Sequence, residues 1–137
     1  MLRAKDLMIG DWAYIYHPTQ ERTPVKVDGV WIETIEHIDN GLTREDSPMF
    51  RIVEPVPLTP EILEKNGFTK SERYEVWKII SDDYELRITP WRVAVIFLDE
   101  DGSDKEEFSA PRPKYLHELQ RALRCVGLFE LANNIKL

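Results

Sequence analysis

EPVPLTPEILEKNGF, residues 54–68, divides the chain into two kinds of β pattern and is its best-specified local structure. Thr59 is a natural N-cap, because its hydroxyl can accept a hydrogen bond from a backbone N–H of the first turn. Pro60 follows at the first helical position, where a missing N–H costs nothing. Leu58 before the cap and Leu63 within the helix are spaced as a hydrophobic staple. Gly67 can take the left-handed conformation that ends a helix, and Phe68 can fold back onto Leu63. Start and stop signals agree on a helix of two turns with a structural role.

Upstream, the sequence is written in short strands. DLMIGDWAYIYHP (6–18) places Trp12, Tyr14 and Tyr16 in alternation with Ala13 and Ile15, the period of a strand. TPVKVDGVWIETIEHI (23–38) is rich in β-branched residues, and its Asp28-Gly29 pair suits a tight hairpin turn. Trp31, Glu33, Ile35 and Glu36 break strict alternation, which predicts a bulge or a twist. DNGLTREDSP (39–48) has the composition of a loop, and MFRIV (49–53) reads as a strand ending at Glu54-Pro55. Short strands with tight turns predict a small SH3-like β-barrel unit over residues 1–55.

Downstream, RYEVWKII (73–80), YELRI (84–88) and WRVAVIFL (91–98) read as three strands of an antiparallel sheet, with Pro90 separating the last two. The first and third are too apolar to lie open to water, so something covers them. KEEFS (105–109) is expected to pair with the third across the acidic turn DEDG. That turn superficially resembles a calcium loop. With Gly102 at the sharp-turn position, however, the two end ligands would be Phe97 and Phe108, so no metal is expected there. The fold class is therefore α+β. An N-terminal SH3-like β-barrel unit precedes a unit over residues 56–137 with a short helix, an antiparallel sheet and a covering C-terminal helix, the two forming one body.

The covering helix is PKYLHELQRALRCVGL (113–128), which carries the chain's single cysteine. At about 100° per residue its apolar side chains, from Tyr115 to Val126, fall within an arc of about 120°. His117, Arg121 and Arg124 fall on the opposite face. Cys125 is eight residues from His117, about 12 Å along the axis, so the two cannot share a metal ion or form a thiolate–imidazole pair. The helix is a packing helix. Its outer face, His117 with Arg121 and Arg124, is either a solvated surface or a docking surface for an acidic partner. Cys125 is expected to be half-buried, and His17 and His37 lack ligands at metal-binding spacing.

Composition bounds the rest. With 42% apolar and 31% charged residues in 137, the chain matches one ordinary globular domain. Nothing at its N-terminus has the pattern of a signal peptide, no apolar run would cross a bilayer, and one cysteine cannot close an internal disulfide. A cytoplasmic location follows as the expectation. The net charge of −7 argues against nonspecific nucleic-acid binding. Residues 111–137 nevertheless carry a net charge of +3, which leaves nucleic-acid binding through Arg112, Lys114, Arg121 and Arg124 as an alternative. No dinucleotide, phosphate-loop, serine-hydrolase or zinc-protease motif occurs, and no cofactor is expected. An enzyme with a carboxylate-based site between the two units is a further alternative.

Three segments carry a resemblance. Leu7, Ile9, Gly10 and Asp11 match a Leu-x-Ile-Gly-(Asn/Asp) opening. Pro57, Leu58, Thr59, Leu63, Gly67 and Phe68 match a Pro-Leu-Thr-x-x-x-Leu-x-x-x-Gly-Phe helix. Tyr115, Leu116, His117, Leu119 and Gln120 match an aromatic-aliphatic-His-x-Leu-Gln helix. In these segments the chain resembles a group of small uncharacterised proteins of Bacteroidetes genomes, often found in prophages and other mobile elements. It departs from the group after Gln120, where Arg121 and Arg124 stand in place of aromatic and apolar residues. The resemblance implies a genomic context and a fold, and no reaction. The function expected is that of a non-enzymatic binding or accessory protein of a mobile element. It would act on a protein partner, or on itself, through the helix face or through the barrel aromatics Trp12, Tyr14, Tyr16 and Trp31. For those aromatics the competing role is core packing.

Overall fold

The computed structural model describes residues 6–16, 21–30, 35–39, 42–46, 52–98 and 104–137. Its architecture is α+β, with two antiparallel five-stranded sheets and a few short helices. Five strands come first: β1 (Trp12–Tyr16), β2 (Thr23–Val30), β3 (Ile35–Asp39), β4 (Leu42–Asp46) and β5 (Ile52–Pro55). They lie in the order β4-β3-β2-β1-β5, and no β4–β5 pair closes this sheet into a barrel among the described residues. Ala13 and Ile15 of β1 and Val25 and Val27 of β2 point to one face and form a buried cluster with Leu7. Alternate positions thus supply the core, as a period of two requires.

Two segments of this sheet differ from the sequence expectation. Asp28-Gly29 is not a hairpin turn; β2 runs through it, with its register against β3 shifting between Val27 and Gly29. A glycine inside a strand marks a bulge as readily as a turn, and here it accommodates the extra residue. Residues 39–48 are not wholly loop, because Leu42–Asp46 pairs with β3 from Ile35↔Asp46 to Asp39↔Leu42. Polar composition is no bar to an antiparallel strand, because the pairing is made by backbone N–H and C=O groups.

Helix α1 (Pro60–Lys65) follows. Thr59 caps it, its hydroxyl accepting from Ile62 N at 3.3 Å. Beyond the helix Gly67 has φ +86°, and the N–H groups of Gly67 and Phe68 donate to the carbonyls of Glu64 and Leu63. This is the paired-bond stop expected of a glycine in the left-handed region. Asn66 also ties down the chain terminus, accepting from Lys136 N and donating to Lys136 O.

The second sheet contains β6 (Thr69–Lys70), β7 (Trp77–Ile80), β8 (Tyr84–Ile88), β9 (Arg92–Leu98) and β10 (Asp104–Pro111), in the order β10-β9-β8-β7-β6. Val93 to Ile96 of β9 are buried at every position, so both faces of that strand are covered. The expected pairing of the fourth segment is present as β9 with β10. The acidic turn itself, at 99–103, lies outside the described residues. Two helices end the chain, α2 (Leu116–Cys125) and α3 (Phe129–Asn133). The chain forms two compact units. One is Met1–Pro57 with Tyr115–Arg121, and the other is Leu58–Lys114 with Ala122–Leu137. Among the described residues no helix is long and apolar enough to cross a membrane.

Candidate functional site

The face of α2 expected to meet solvent is largely buried. His117 is 6% exposed and Arg124 9%, whereas Arg121 is exposed. The buried set is Leu116, His117, Leu119, Gln120, Leu123 and Arg124. On a helical projection its centre lies about 80° from that of the apolar stripe, turned toward the polar side. The cause is Gln120, which is fully buried. Its Nε2 donates to Gly10 O at 2.8 Å, and its Oε1 accepts from Trp12 N at 3.1 Å. A buried primary amide satisfied by two backbone groups fixes the rotation of the helix more firmly than the apolar count does.

The Gly10 side of this contact is a built turn. Asp11 N donates to Met8 O at 3.0 Å, and Gly10, at φ +91°, occupies the third turn position, where only a residue tolerating positive φ fits well. The buried Asp11 carboxylate accepts from Met8 N at 2.8 Å. Arg121 donates to Asp6 O at 2.7 Å. His117 stacks on Tyr115 with ring centroids 6.0 Å apart, and its Nδ1 is buried without a partner among the described residues. Burial pushes the His117 pKa down, opposed by the nearby charges of Asp11, Glu118 and Asp6 and assisted by Arg121. Three of the residues singled out by sequence are therefore in or beside a structural knot, and Arg124, donating to Asn133 at 3.4 Å, is withdrawn from any exposed basic row.

The aromatics of β1 are also placed. Trp12 and Tyr14 are half-buried on the face opposite Ala13 and Ile15, opposite Lys26 and Pro24 of β2. They are neither core residues nor freely exposed. The side chain of Tyr16 and the whole of Trp31 lie outside the described residues. Cys125 is exposed rather than half-buried. No group of three metal-ligating side chains occurs among the described residues.

The most exposed large hydrophobic side chain among the described residues is one that sequence reasoning passed over. Trp91 is 84% exposed, at the turn between β8 and β9. Its backbone is held from several directions. Thr89 N donates to Arg92 O at 2.8 Å, and Thr89 Oγ1 accepts from Trp91 N and Arg92 N at 3.3 and 3.1 Å. Arg112 N donates to Trp91 O at 3.1 Å, and Arg112 Nη1 to Thr89 O at 3.3 Å. The available signal was TPWR itself, a threonine and a proline before an aromatic between two strands. A cavity of about 210 Å³ beside this turn is lined by Val76, Lys78, Arg87, Thr89, Arg92 and Ala94.

Comparison with protein-family models, with curated proteins and with solved structures gives no match for the chain.

Proposed function

We propose that the chain is a non-enzymatic binding or accessory protein that acts through protein–protein contacts, with the Trp91 turn as its anchor. One observation carries this reading: a fully presented indole on a turn whose backbone is already hydrogen-bonded. Exposing a tryptophan forgoes the hydrophobic gain of burying it. Holding its backbone in place removes part of the ordering cost that binding would otherwise incur. Tryptophan is also prominent among the residues that dominate interface energies.

The resemblance to small proteins of Bacteroidetes mobile elements supports a cytoplasmic accessory role. Of the residues that carry it, Gly10, Asp11 and Gln120 belong to the knot, and Thr59, Leu63, Gly67 and Phe68 belong to α1 and its ends, so they speak for a shared fold. The order β4-β3-β2-β1-β5, in which the last strand returns to pair with the first, supports an SH3-like barrel for the N-terminal unit.

A pull-down from host lysate, with and without nuclease, tests the reading by comparing wild type with Trp91→Ala. A protein retained by wild type and lost by the variant is the expected result. Equal capture by both would remove Trp91 from the interface, and nuclease-sensitive capture would favour nucleic acid as the partner.

A further inference from the structure

We infer that Asn66-Gly67 is a deamidation site closed by the segment 134–137: the backbone of that segment shields the asparagine, and conversion to aspartate or isoaspartate releases the segment. The inference is independent of the protein-binding reading above.

An asparagine followed by glycine is prone to this reaction, because glycine has no side chain to hinder attack by its own backbone nitrogen. The chain has two such pairs, Asn40-Gly41 and Asn66-Gly67. In the reaction the Gly67 nitrogen gives up its proton and bonds to Asn66 Cγ. The Cγ–Nδ2 bond then breaks, and Nδ2 leaves as ammonia. Water opens the resulting five-membered succinimide at either carbonyl, giving aspartate or isoaspartate. The net change is one water consumed and one ammonia released.

Three features of the folded chain oppose the first step. Asn66 caps α1 with ψ 17°, so its own nitrogen nearly eclipses that of Gly67 and Cβ is turned away. Ring closure requires the opposite, with Cβ eclipsing the Gly67 nitrogen. The Gly67 N–H donates to Glu64 O at 3.1 Å, which disfavours loss of its proton. The Asn66 amide is itself held. Nδ2 donates to Ile62 O at 2.7 Å and to Lys136 O at 2.8 Å, and Oδ1 accepts from Lys136 N at 2.7 Å.

The first two features belong to α1 alone, a helix of six residues whose last turn is intrinsically weak. The third comes from 70 residues away and holds that turn closed. Lys65 Nζ donates to Leu137 O, a further bond between the same turn and the same segment. Gly67 is exposed, so water has access once the turn opens.

The product cannot rebuild the contact. Ile62 O and Lys136 O both accept from the Asn66 NH2 group, and a carboxylate would set an oxygen with no proton against each of them. It would also place a negative charge at the end of α1 where the helix dipole disfavours one. Isoaspartate adds a methylene to the main chain directly before Gly67, whose φ of +86° and backbone bond to Glu64 end the helix. Release is therefore one-way: an opening of the segment is reversible until deamidation fixes it.

Peptide mapping by mass spectrometry, at one mildly alkaline pH and one temperature, follows deamidation at Asn66 and provides the test. The urea-unfolded chain supplies the intrinsic rate. Folded wild type should react at least about tenfold more slowly. Lys136→Pro removes the N–H that Asn66 Oδ1 accepts and, with its fold verified by circular dichroism, should recover most of the intrinsic rate. If the proline unfolds the chain, deletion of residues 136–137 removes the same partners and should give the same acceleration. Asn66→Asp, the product itself, should speed hydrogen exchange at the Lys136 amide by about tenfold. Equal rates in folded and unfolded wild type would overturn the inference. So would a folded Lys136→Pro or truncated chain that stays protected, since the helix end alone would then be the shield. Unchanged exchange at Lys136 in Asn66→Asp would overturn the release.

Discussion

Gln120 holds more of the structure than its polarity suggests. Replacing it with leucine keeps the volume and leaves Gly10 O and Trp12 N without this partner in a buried setting. The expected cost is about 2–4 kcal/mol, measured by urea unfolding. Trp91→Ala should by contrast change stability by less than about 0.5 kcal/mol, because the side chain is 84% exposed. That separation makes Trp91 a clean probe of binding. His117 sets a pH dependence. Its folded-state pKa lies below the ordinary 6.5, so the unfolded chain binds the proton first as pH falls. Stability from this group is intact above about pH 6.5 and declines below it until the folded pKa is passed. Unfolding measured across this range should show that decline, and His117→Gln should remove it.

At the scale of elements, ends are better specified than faces. Thr59→Ala should cost about 1 kcal/mol in equilibrium unfolding, since it removes the cap on Ile62 N. Gly67→Ala meets no atom within 4 Å but must hold a φ of +86°, so a loss of about 1 kcal/mol is expected from backbone strain alone. The α1 signals were legible because cap chemistry is local: Thr59, Pro60 and Gly67 act on neighbours in sequence. Strands β8 and β9 were legible for a related reason, since runs such as Val93–Ile96 announce burial on both faces, whereas only Trp77–Ile80 of the expected strand 73–80 is extended and β6 gave no strand pattern. What could not be read were features set by distant partners. The rotation of α2 depends on Gln120 meeting a turn 110 residues away, and an apolar projection cannot weigh that bond. Asp28-Gly29 has the composition of a turn, and its pairing partner in β3 makes it a bulge. Leu42–Asp46 looks like loop until β3 lies beside it. Trp91 was missed as a surface residue because a strand-forming aromatic is ambiguous until the turn's hydrogen bonds are known.

At the scale of the whole molecule and among the described residues, buried Asp11, His117 and Gln120 lie in the unit formed by Met1–Pro57 and Tyr115–Arg121, and the most exposed aromatic, Trp91, lies in the other. The proposed binding surface, the Trp91 turn, lies in the second.

The most direct test is the affinity of the partner recovered from lysate for wild type and for Trp91→Ala, titrated at one salt concentration with both proteins verified as folded. An anchoring indole predicts a loss of about 2 kcal/mol, or about thirtyfold in Kd. An affinity unchanged within about twofold would contradict Trp91 as the anchor.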